Sequence, residues 1–237
     1  MKIALIFWGL ARSLNMTIKS IQNNILNILK NNNIQFHIFF HTYFINSIYN
    51  NPRSNENNIK INNNLYKLLD PNFFIYDIQD TIDIDFQSLF PNKDPWNNNF
   101  TTFKNYILAL YSLKRISDLF LHHHDTQQYD LVIFLRPDVL FTKPIDINWF
   151  KLINNNTILT PKFHTWNGIN DRFAIMKPNN LLHYGYRFDY LKLKLPYTSE
   201  ILLKHIINKN YIKNIHIDFI FKRIRANGKI QNIDKKL

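Results

Sequence analysis

Residues 129–141 read YDLVIFLRPDVLF, and this stretch decides the fold. Its centre, Leu131–Leu135, is a continuous apolar run, which is typical of a strand buried on both faces of a parallel sheet. The run ends abruptly at Arg136, Pro137 and Asp138. Open α/β sheets bind ligands beyond the carboxyl ends of their strands. The stretch therefore predicts a central strand that carries a cation and a carboxylate to a ligand site.

The first forty residues predict a βαβ unit. Residues 2–7 and residues 34–40 are apolar runs, and between them residues 13–29 place isoleucine and leucine at helical spacing. Parallel strands joined by a helix have a right-handed crossover. We therefore expect an α/β fold with a mostly parallel, twisted sheet flanked by helices. No internal repeat or domain boundary interrupts the pattern, so residues 1–237 are predicted to form a single domain.

The remaining elements are predicted from shorter patterns. Residues 103–120 carry one apolar stripe at helical spacing, which predicts a long helix. Residues 50–64 are rich in asparagine and predict an exposed loop, and residues 77–99 predict irregular structure. The other predicted elements are strands at residues 73–76, 158–161, 173–176 and 215–221 and a helix at residues 199–207.

The composition excludes several kinds of protein. Of the 237 residues, 46% are hydrophobic, which is enough for a sizeable core and excludes wholesale disorder. The four glycines cannot form GxGxxG or GxxxxGK[ST], which argues against dinucleotide and P-loop sites. The absence of cysteine excludes disulfides, thiolate zinc sites and cysteine nucleophiles. No apolar run reaches the roughly 18–20 residues that span a bilayer, and we expect a cytoplasmic protein.

The charge is strongly positive. Lysine and arginine number 29 against 17 acidic residues, giving a net charge of +12. Such a surface suits polyanions, anionic membranes or phosphorylated small molecules. The chain is also rich in asparagine and isoleucine, as AT-rich coding would produce, and that bias raises the lysine content without any functional demand. From the charge alone we expect no nucleic-acid partner.

Asp138 is the first candidate for chemistry. A carboxylate directly after a buried strand can hold Mg²⁺ or Mn²⁺ while a diphosphate supplies other oxygen ligands. Arg136 could add a fork of N–H donors to the same phosphates. The alternative is that Arg136, Pro137 and Asp138 form only a strand-ending turn, since proline and aspartate favour turns. Spacing alone leaves both interpretations open.

Resemblance to a known family favours the first interpretation. Residues 129–141 resemble the YDxVIRxRxDLxF segment of GT-A-type glycosyltransferases, of the kind encoded by large DNA viruses and bacterial polysaccharide clusters. Residues 3–13 resemble the family's first strand and nucleotide-binding turn, in which a glycine and an Arg-Ser pair recur. Residues 36–42 are similar to its second strand, which ends in His-Thr. Residues 111–115, YSLKR, resemble the helix that precedes the metal-binding strand.

The second half of the chain adds two matches in the same order. Residues 168–174, GINDRFA, resemble the family's GxNDxFA segment beside the acceptor, and residues 199–203 are similar to its PExLL helix start. The matches thus run from residue 3 to about residue 207. They imply a GT-A-like (Rossmann-like) domain that transfers a hexose or deoxyhexose from a nucleotide-sugar donor to a hydroxyl of a glycan or glycoprotein acceptor.

The resemblance also implies roles for particular residues. Asp138 would hold a divalent cation, Mn²⁺ or Mg²⁺, and Asp171 would be the catalytic base. The family's DxD motif keeps here the single acid Asp138, so arginines are expected to supply part of the phosphate neutralisation. The residues assigned to the donor are Gly9, Arg12, Ser13, Ser112, Arg115, Arg136 and Asp138, and those assigned to the acceptor are Asn170 and Glu200.

Other interpretations remain beside this one. Asp171 could be a turn residue or an ion-pair partner of Arg172, and Glu200 could simply favour the start of its helix. A non-catalytic basic module that binds RNA or polysaccharide would explain the reduced metal motif. A hydrolase could use Asp138 and Asp171 as a carboxylate pair. For the transferase, we expect Asp138→Asn to fold normally and to lose metal-assisted transfer. The sequence leaves the oligomeric state open.

Overall fold

The computed structural model describes residues 1–123, 128–193 and 198–236. Seven of the strands in these ranges form one sheet in the order β10-β8-β9-β6-β1-β2-β5. All neighbours pair in parallel except β9, which is antiparallel to both β6 and β8. The strands are β1 (Lys2–Trp8), β2 (Gln35–Phe44), β3 (Tyr49–Asn51), β4 (Glu56–Ile59), β5 (Phe73–Ile78), β6 (Leu131–Leu135), β7 (Val139–Phe141), β8 (Thr157–Pro161), β9 (Ala174–Met176), β10 (Lys213–Ile217) and β11 (Phe221–Arg223).

The helices cover the two faces of the sheet. They are α1 (Leu14–Ile21), α2 (Asn27–Asn31), α3 (Phe86–Leu89), α4 (Thr101–His123), α5 (Leu181–Gly185) and α6 (Ser199–Lys209). The predicted α/β class and mostly parallel sheet are confirmed. The single helix predicted for residues 13–29 is instead α1 and α2 joined by a π-helical turn at Gln22–Leu26. There the carbonyl of Asn24 accepts a hydrogen bond from the Ile145 backbone N–H, 2.8 Å away, which accounts for the wider turn.

The core forms because β1 and β6 are apolar on both faces. Side chains from alternate positions of β1 enter two separate clusters, with Leu5 and Phe7 on one face and Ile6 and Trp8 on the other. The register pairs Ile3 with Leu131 in β6 and with Phe36 in β2. The βαβ unit and the central strand predicted from residues 129–141 are therefore confirmed.

Two further predictions about the elements are wrong. Residues 50–64 are not simply an exposed loop, because the β3–β4 hairpin lies there and buries the Glu56 side chain. The single strand predicted for residues 215–221 is two strands: β10 is in the main sheet, and β11 pairs with β7 directly after Asp138. In both places the hydrogen bonds are made to residues distant in sequence, so local periodicity carries no signal of them.

Parallel pairing brings the important loops to one edge. The carboxyl ends of β1 and β6 are adjacent, so the turn that contains Arg12 meets the turn that contains Asp138. Arg12 Nη2 lies 3.2 Å from Asp138 Oδ2. The two ends thus lie on the same side of the sheet, where the fold places a ligand site.

Within the described residues, no helix is long and apolar enough to cross a bilayer.

Candidate active site

A cavity of about 600 Å³ opens at the carboxyl ends of β1, β2 and β6. Within the described part of the chain, its wall includes six arginines and two carboxylates. The arginines are Arg12, Arg53, Arg136, Arg172, Arg223 and Arg225, and the carboxylates are Asp171 and Glu200. Flat aromatic side chains also line it, namely Trp8, Tyr43, Tyr49, Trp96, Tyr106 and Trp166. A volume of this size accommodates a substantial organic ligand, and the excess of arginine favours an anionic one.

The first group of charges, here called the Asp138 cluster, consists of Asp138, Glu56, Arg12, Arg136 and Arg225. Asp138 is only 1% exposed, and Arg136 binds it with both Nε and Nη2, at 2.8 and 2.7 Å. Burial acts to raise the pKa of Asp138, but Arg136 and Arg12 outweigh it and hold that pKa well below its usual range. Asp138 is therefore an ionised partner of arginines behind the cavity wall.

Arg12 is held from a second side by the β3–β4 hairpin. Its Nη1 lies 3.3 Å from Glu56 Oε2 and donates a hydrogen bond to the Tyr49 hydroxyl. The other Glu56 oxygen accepts a hydrogen bond from the backbone N–H of Ala226, at 2.7 Å. Glu56 thus joins the amino-terminal hairpin to the carboxyl-terminal segment, and Arg12 lies between two buried carboxylates.

The carboxyl-terminal segment completes this part of the wall. Its β11 strand, paired with β7, ends at Arg223, two residues before Arg225. Arg223 is bound by Asp234 through its backbone N–H, its Nε and its Nη2. Arg225 donates from Nε to Gln231 Oε1 at 2.6 Å, and among the described residues it has no ion pair with a carboxylate. Burial and the nearby Arg12 lower the pKa of Arg225 to about 10, so it remains a cation at neutral pH.

The second group, here called the Asp171 cluster, consists of Asp171, Arg172, Arg187 and Glu200. Arg172 Nη2 donates to Glu200 Oε1 at 2.8 Å, whereas Arg172 Nη1 and Asp171 Oδ1 are 3.8 Å apart. Arg187, fully buried, lies 3.7 Å from Asp171 Oδ2. Arg136 also acts on the pKa of Asp171, so the two clusters are within electrostatic reach.

The two carboxylates of this cluster differ in pKa. Burial acts to raise the pKa of Asp171, but Arg172 and Arg187 outweigh it and the pKa is lowered. For Glu200, burial and then the neighbouring Asp171 raise the pKa, and Arg172 offsets this only in part. At neutral pH the cluster therefore contains an ionised Asp171 next to a more basic carboxylate.

Gly168 lets the turn that precedes Asp171 pack against the backbone of Glu200. A Cβ atom at this position would lie 2.1 Å from the Glu200 carbonyl carbon, so no larger residue fits without displacing the start of α6. The Ile169 N–H donates to the Glu200 carbonyl at 3.0 Å. Asn170 then holds the turn, since its amide donates to the Phe163 carbonyl at 2.8 Å and its side-chain oxygen accepts from the Arg172 N–H.

Unpaired polar atoms point to the same place. Among the described residues, five buried side-chain nitrogen or oxygen atoms have no hydrogen-bond partner. All five belong to residues that line the cavity. They are Trp8 Nε1, Arg12 Nε, Tyr106 Oη, Asp171 Oδ1 and Arg172 Nη1. Because buried polar groups without partners are costly, their concentration here is typical of a site built to bind a polar ligand.

A third network supports the cavity from behind. The backbone N–H of Gly9 donates to Ser112 Oγ at 2.8 Å, and Ser112 Oγ lies 2.6 Å from His41 Nδ1. His41 Nε2 is 3.0 Å from Asp77 Oδ2, which also accepts a hydrogen bond from Arg115 Nε. Gly9 has a φ of +97°, a backbone conformation that favours glycine, so the network fixes a turn that other residues would strain.

The structure brings together half of the residues predicted for the site. Those that line the cavity are Gly9, Arg12, Arg136, Asp171 and Glu200, and those that lie behind its wall are Ser13, Ser112, Arg115, Asp138 and Asn170. The Ser13 hydroxyl is bound to the Ile224 carbonyl at 2.9 Å. The five residues behind the wall position the lining, while direct contact of their side chains with a ligand stays a prediction.

Sequence reasoning missed several residues that shape the wall. Glu56 lies in an asparagine-rich segment, and Arg223, Arg225 and Asp234 lie in a basic tail. None of these four residues lies in one of the segments that resemble the family's motifs. The one available signal was an isolated acid, Glu56, in a long polar segment otherwise free of carboxylates.

The residues around Asp138 do not fit a divalent cation. Both of its oxygens already accept hydrogen bonds from guanidinium groups, and Arg225 lies close enough to act on its pKa. Among the described residues, no group of three histidine, aspartate or glutamate side chains could hold a metal ion. A hard cation needs several free oxygen ligands, and the cluster offers N–H donors instead.

The carboxylate pair in the wall is likewise not the one considered for a hydrolase. Asp138 lies behind the wall, and in residues 1–123, 128–193 and 198–236 the acids that line the cavity are Asp171 and Glu200.

Comparisons with known proteins give distant likenesses only. No family model and no curated protein matches the chain. One similar solved structure is the galactosyltransferase LgtC in complex with donor and acceptor sugar analogs, with 11% identity and a TM-score of 0.46, over 90% of this chain and 73% of that one. Another is the apo form of the glycosyltransferase GlyE of Streptococcus pneumoniae TIGR4, with 13% identity and a TM-score of 0.44. That match covers 91% of this chain and 45% of GlyE, so the chain spans less than half of its length.

Proposed function

We propose that the protein is a GT-A-type glycosyltransferase that moves a hexose or deoxyhexose from a nucleotide-sugar donor to a hydroxyl of a glycan or glycoprotein acceptor. The observation that carries the proposal is the pairing of an arginine-rich cluster with a carboxylate pair in one cavity, together with the five unpaired polar atoms in its wall. Transfer of a sugar from a nucleoside diphosphate uses cations that stabilise the leaving diphosphate and a base that takes the proton of the acceptor. The arginine-rich cluster and the carboxylate pair would supply these side by side.

The chemistry assigns a task to each cluster. The acceptor oxygen forms a bond to the anomeric carbon of the sugar while the bond from that carbon to the phosphate oxygen breaks. The electron pair of the broken bond leaves with the nucleoside diphosphate, which gains one negative charge. Fixed cations stabilise that negative charge as it develops, and Arg12 and Arg136 line the cavity where they would do so. The proton of the acceptor hydroxyl passes to a carboxylate.

Asp171 is our candidate for that proton acceptor. Its Oδ1 is buried without a hydrogen-bond partner, and its lowered pKa keeps it ionised at neutral pH. Glu200, whose Oε1 is bound by Arg172, would accept hydrogen bonds from other hydroxyls of the acceptor. Gly9 would bring the turn that follows β1, residues 9–13 (the β1 turn), close to the donor.

The test is a transfer assay with a matched control. The protein is incubated with UDP- and GDP-linked hexoses and deoxyhexoses and a panel of glycans, and nucleoside diphosphate release and glycan mass are followed. Asp171→Asn should abolish most of the product. Asp218→Asn, at a surface ion pair with Lys143 outside the cavity, should leave the rate unchanged. Failure of every donor to bind, together with salt-sensitive binding of oligonucleotides, would favour a basic binding module instead.

A further inference from the structure

The Asp138 cluster keeps a surplus of positive charge. Its three guanidinium groups, on Arg12, Arg136 and Arg225, face the two carboxylates of Asp138 and Glu56. Arg12 and Arg136 are paired with these acids, whereas Arg225 has no carboxylate within ion-pair distance among the described residues. Arg225 is half-buried, and a partly desolvated cation without an ion-pair partner is costly. An anion in the cavity would reduce that cost.

Unused donors lie on the same side of the cavity. Arg12 Nε and Trp8 Nε1 are buried N–H groups with no acceptor, and both side chains line the cavity. The Arg136 guanidinium lies 5.2 Å from the centre of the Trp8 ring, so these donors belong to one local surface. An oxyanion there would accept charge-assisted hydrogen bonds that no protein group now makes.

The position of Arg225 is fixed by the carboxyl-terminal hairpin, residues 224–230, in which Ile224 pairs with Ile230. The Arg225 backbone N–H donates to the Lys229 carbonyl at 2.9 Å, and its carbonyl accepts from the Gly228 N–H. Gly228 has a φ of +77°, as the tight turn requires. The neighbouring Ile224 N–H donates to the Asp138 carbonyl at 2.8 Å. The guanidinium is thus presented from a hairpin bound to the Asp138 turn, which favours a preorganised anion site.

From these observations we propose that Arg225, with Arg12 and Arg136, binds the diphosphate of the ligand directly, with no divalent cation between the phosphates and the protein. The inference rests on the proposed function, since it names how that donor is held. A divalent cation placed among three guanidinium groups would be repelled by them, whereas a diphosphate is attracted by all three. The arginines then provide the charge that a metal ion would otherwise provide.

The test measures binding separately from transfer. Inorganic pyrophosphate, UDP and GDP are titrated calorimetrically into the protein in EDTA and, in a parallel series, in Mn²⁺. We expect the same affinity in both series. Arg225→Gln should weaken binding by about 10-fold to 100-fold, the usual loss for a hydrogen bond to a charged group. Arg225→Lys, which keeps the charge but not the planar fork, should lose less.

The control removes a positive charge elsewhere. Lys162→Gln breaks a surface pair with Asp218, and its binding should match that of the wild type. Unfolding curves of all variants establish that each is folded. Binding that requires Mn²⁺ would overturn the inference while leaving sugar transfer intact. Diphosphate binding in EDTA without any sugar transfer would support it and reject the proposed function. Absence of binding in both series would reject both.

Discussion

The Asp138 and Asp171 clusters both consist of arginines and carboxylates, but they differ in how completely the carboxylate oxygens are hydrogen-bonded. In the first, both oxygens of Asp138 and both oxygens of Glu56 accept hydrogen bonds from protein groups. In the second, Asp171 Oδ1 and Arg172 Nη1 have no partner although they are only 3.8 Å apart. The comparison indicates that the first cluster uses its acids to hold arginines in place, whereas the second leaves Asp171 Oδ1 without a hydrogen bond. The second is therefore where we expect the reacting acid.

The largest effect is expected for Asp138→Asn. This substitution removes the buried charge that holds two guanidinium groups and turns N–H donors toward them. Loss of one partner of a buried ion pair costs about 3–5 kcal/mol, and we expect about 3 kcal/mol here because Arg136 remains 20% exposed. Urea unfolding would measure the change. The buried pairs therefore replace our sequence-based expectation that this variant folds normally.

Asp218→Asn is the matched control for that measurement. Its carboxylate is 52% exposed and pairs with Lys143 and Lys162 at the surface. Screened surface pairs contribute about 0–1 kcal/mol, so the control should unfold close to the wild type. Equal stability of the two variants would remove the distinction between the clusters.

The next effect is on catalysis. Asp171→Asn keeps the shape of the side chain but cannot accept the acceptor's proton. We expect kcat to fall by about 100-fold, equivalent to about 2.7 kcal/mol, with little change in the KM for the donor. Steady-state rates at varied donor concentration give both constants. A loss confined to KM would instead make Asp171 a binding residue.

The pH profile distinguishes the two carboxylates of the second cluster. If Asp171 is the base, its lowered pKa keeps it ionised, and kcat should be flat down to about pH 4, the ordinary aspartate range. If Glu200 is the base, its raised pKa makes kcat fall on the acid side at a higher pH, by about 10-fold per unit. The profile of Glu200→Gln should follow the wild type in the first case.

The smallest effect is expected behind the wall. Ser112→Ala removes the acceptor of the Gly9 N–H and a partner of His41. Leaving one buried donor without an acceptor costs about 1–2 kcal/mol. Thermal unfolding would show the loss, and a modest rise in the KM for the donor would accompany it because the β1 turn is less firmly held. An unchanged unfolding midpoint would show that the network is dispensable.

The same contrast explains what could be predicted from the sequence. The continuous apolar runs of β1 and β6 identify strands without reference to any partner, because burial on both faces leaves a pattern in the sequence itself. Arg136 could be predicted because it directly follows such a strand, and Arg12 because the family resemblance assigns it to the turn after β1. Glu56 and Arg225 could not, since each acquires its place from a residue far away in the chain, and their local sequence resembles that of an exposed loop.

The hydrogen bond from Ser13 to the Ile224 carbonyl spans 211 residues and bears on the order of folding. Contacts between such distant parts of a chain close the largest loops, and their entropic cost delays them until the intervening structure has formed. The sheet can therefore form before the carboxyl-terminal hairpin reaches the β1 turn. During refolding, the recovery of ligand affinity should lag behind the recovery of strand signal, and the lag reports the docking of that hairpin.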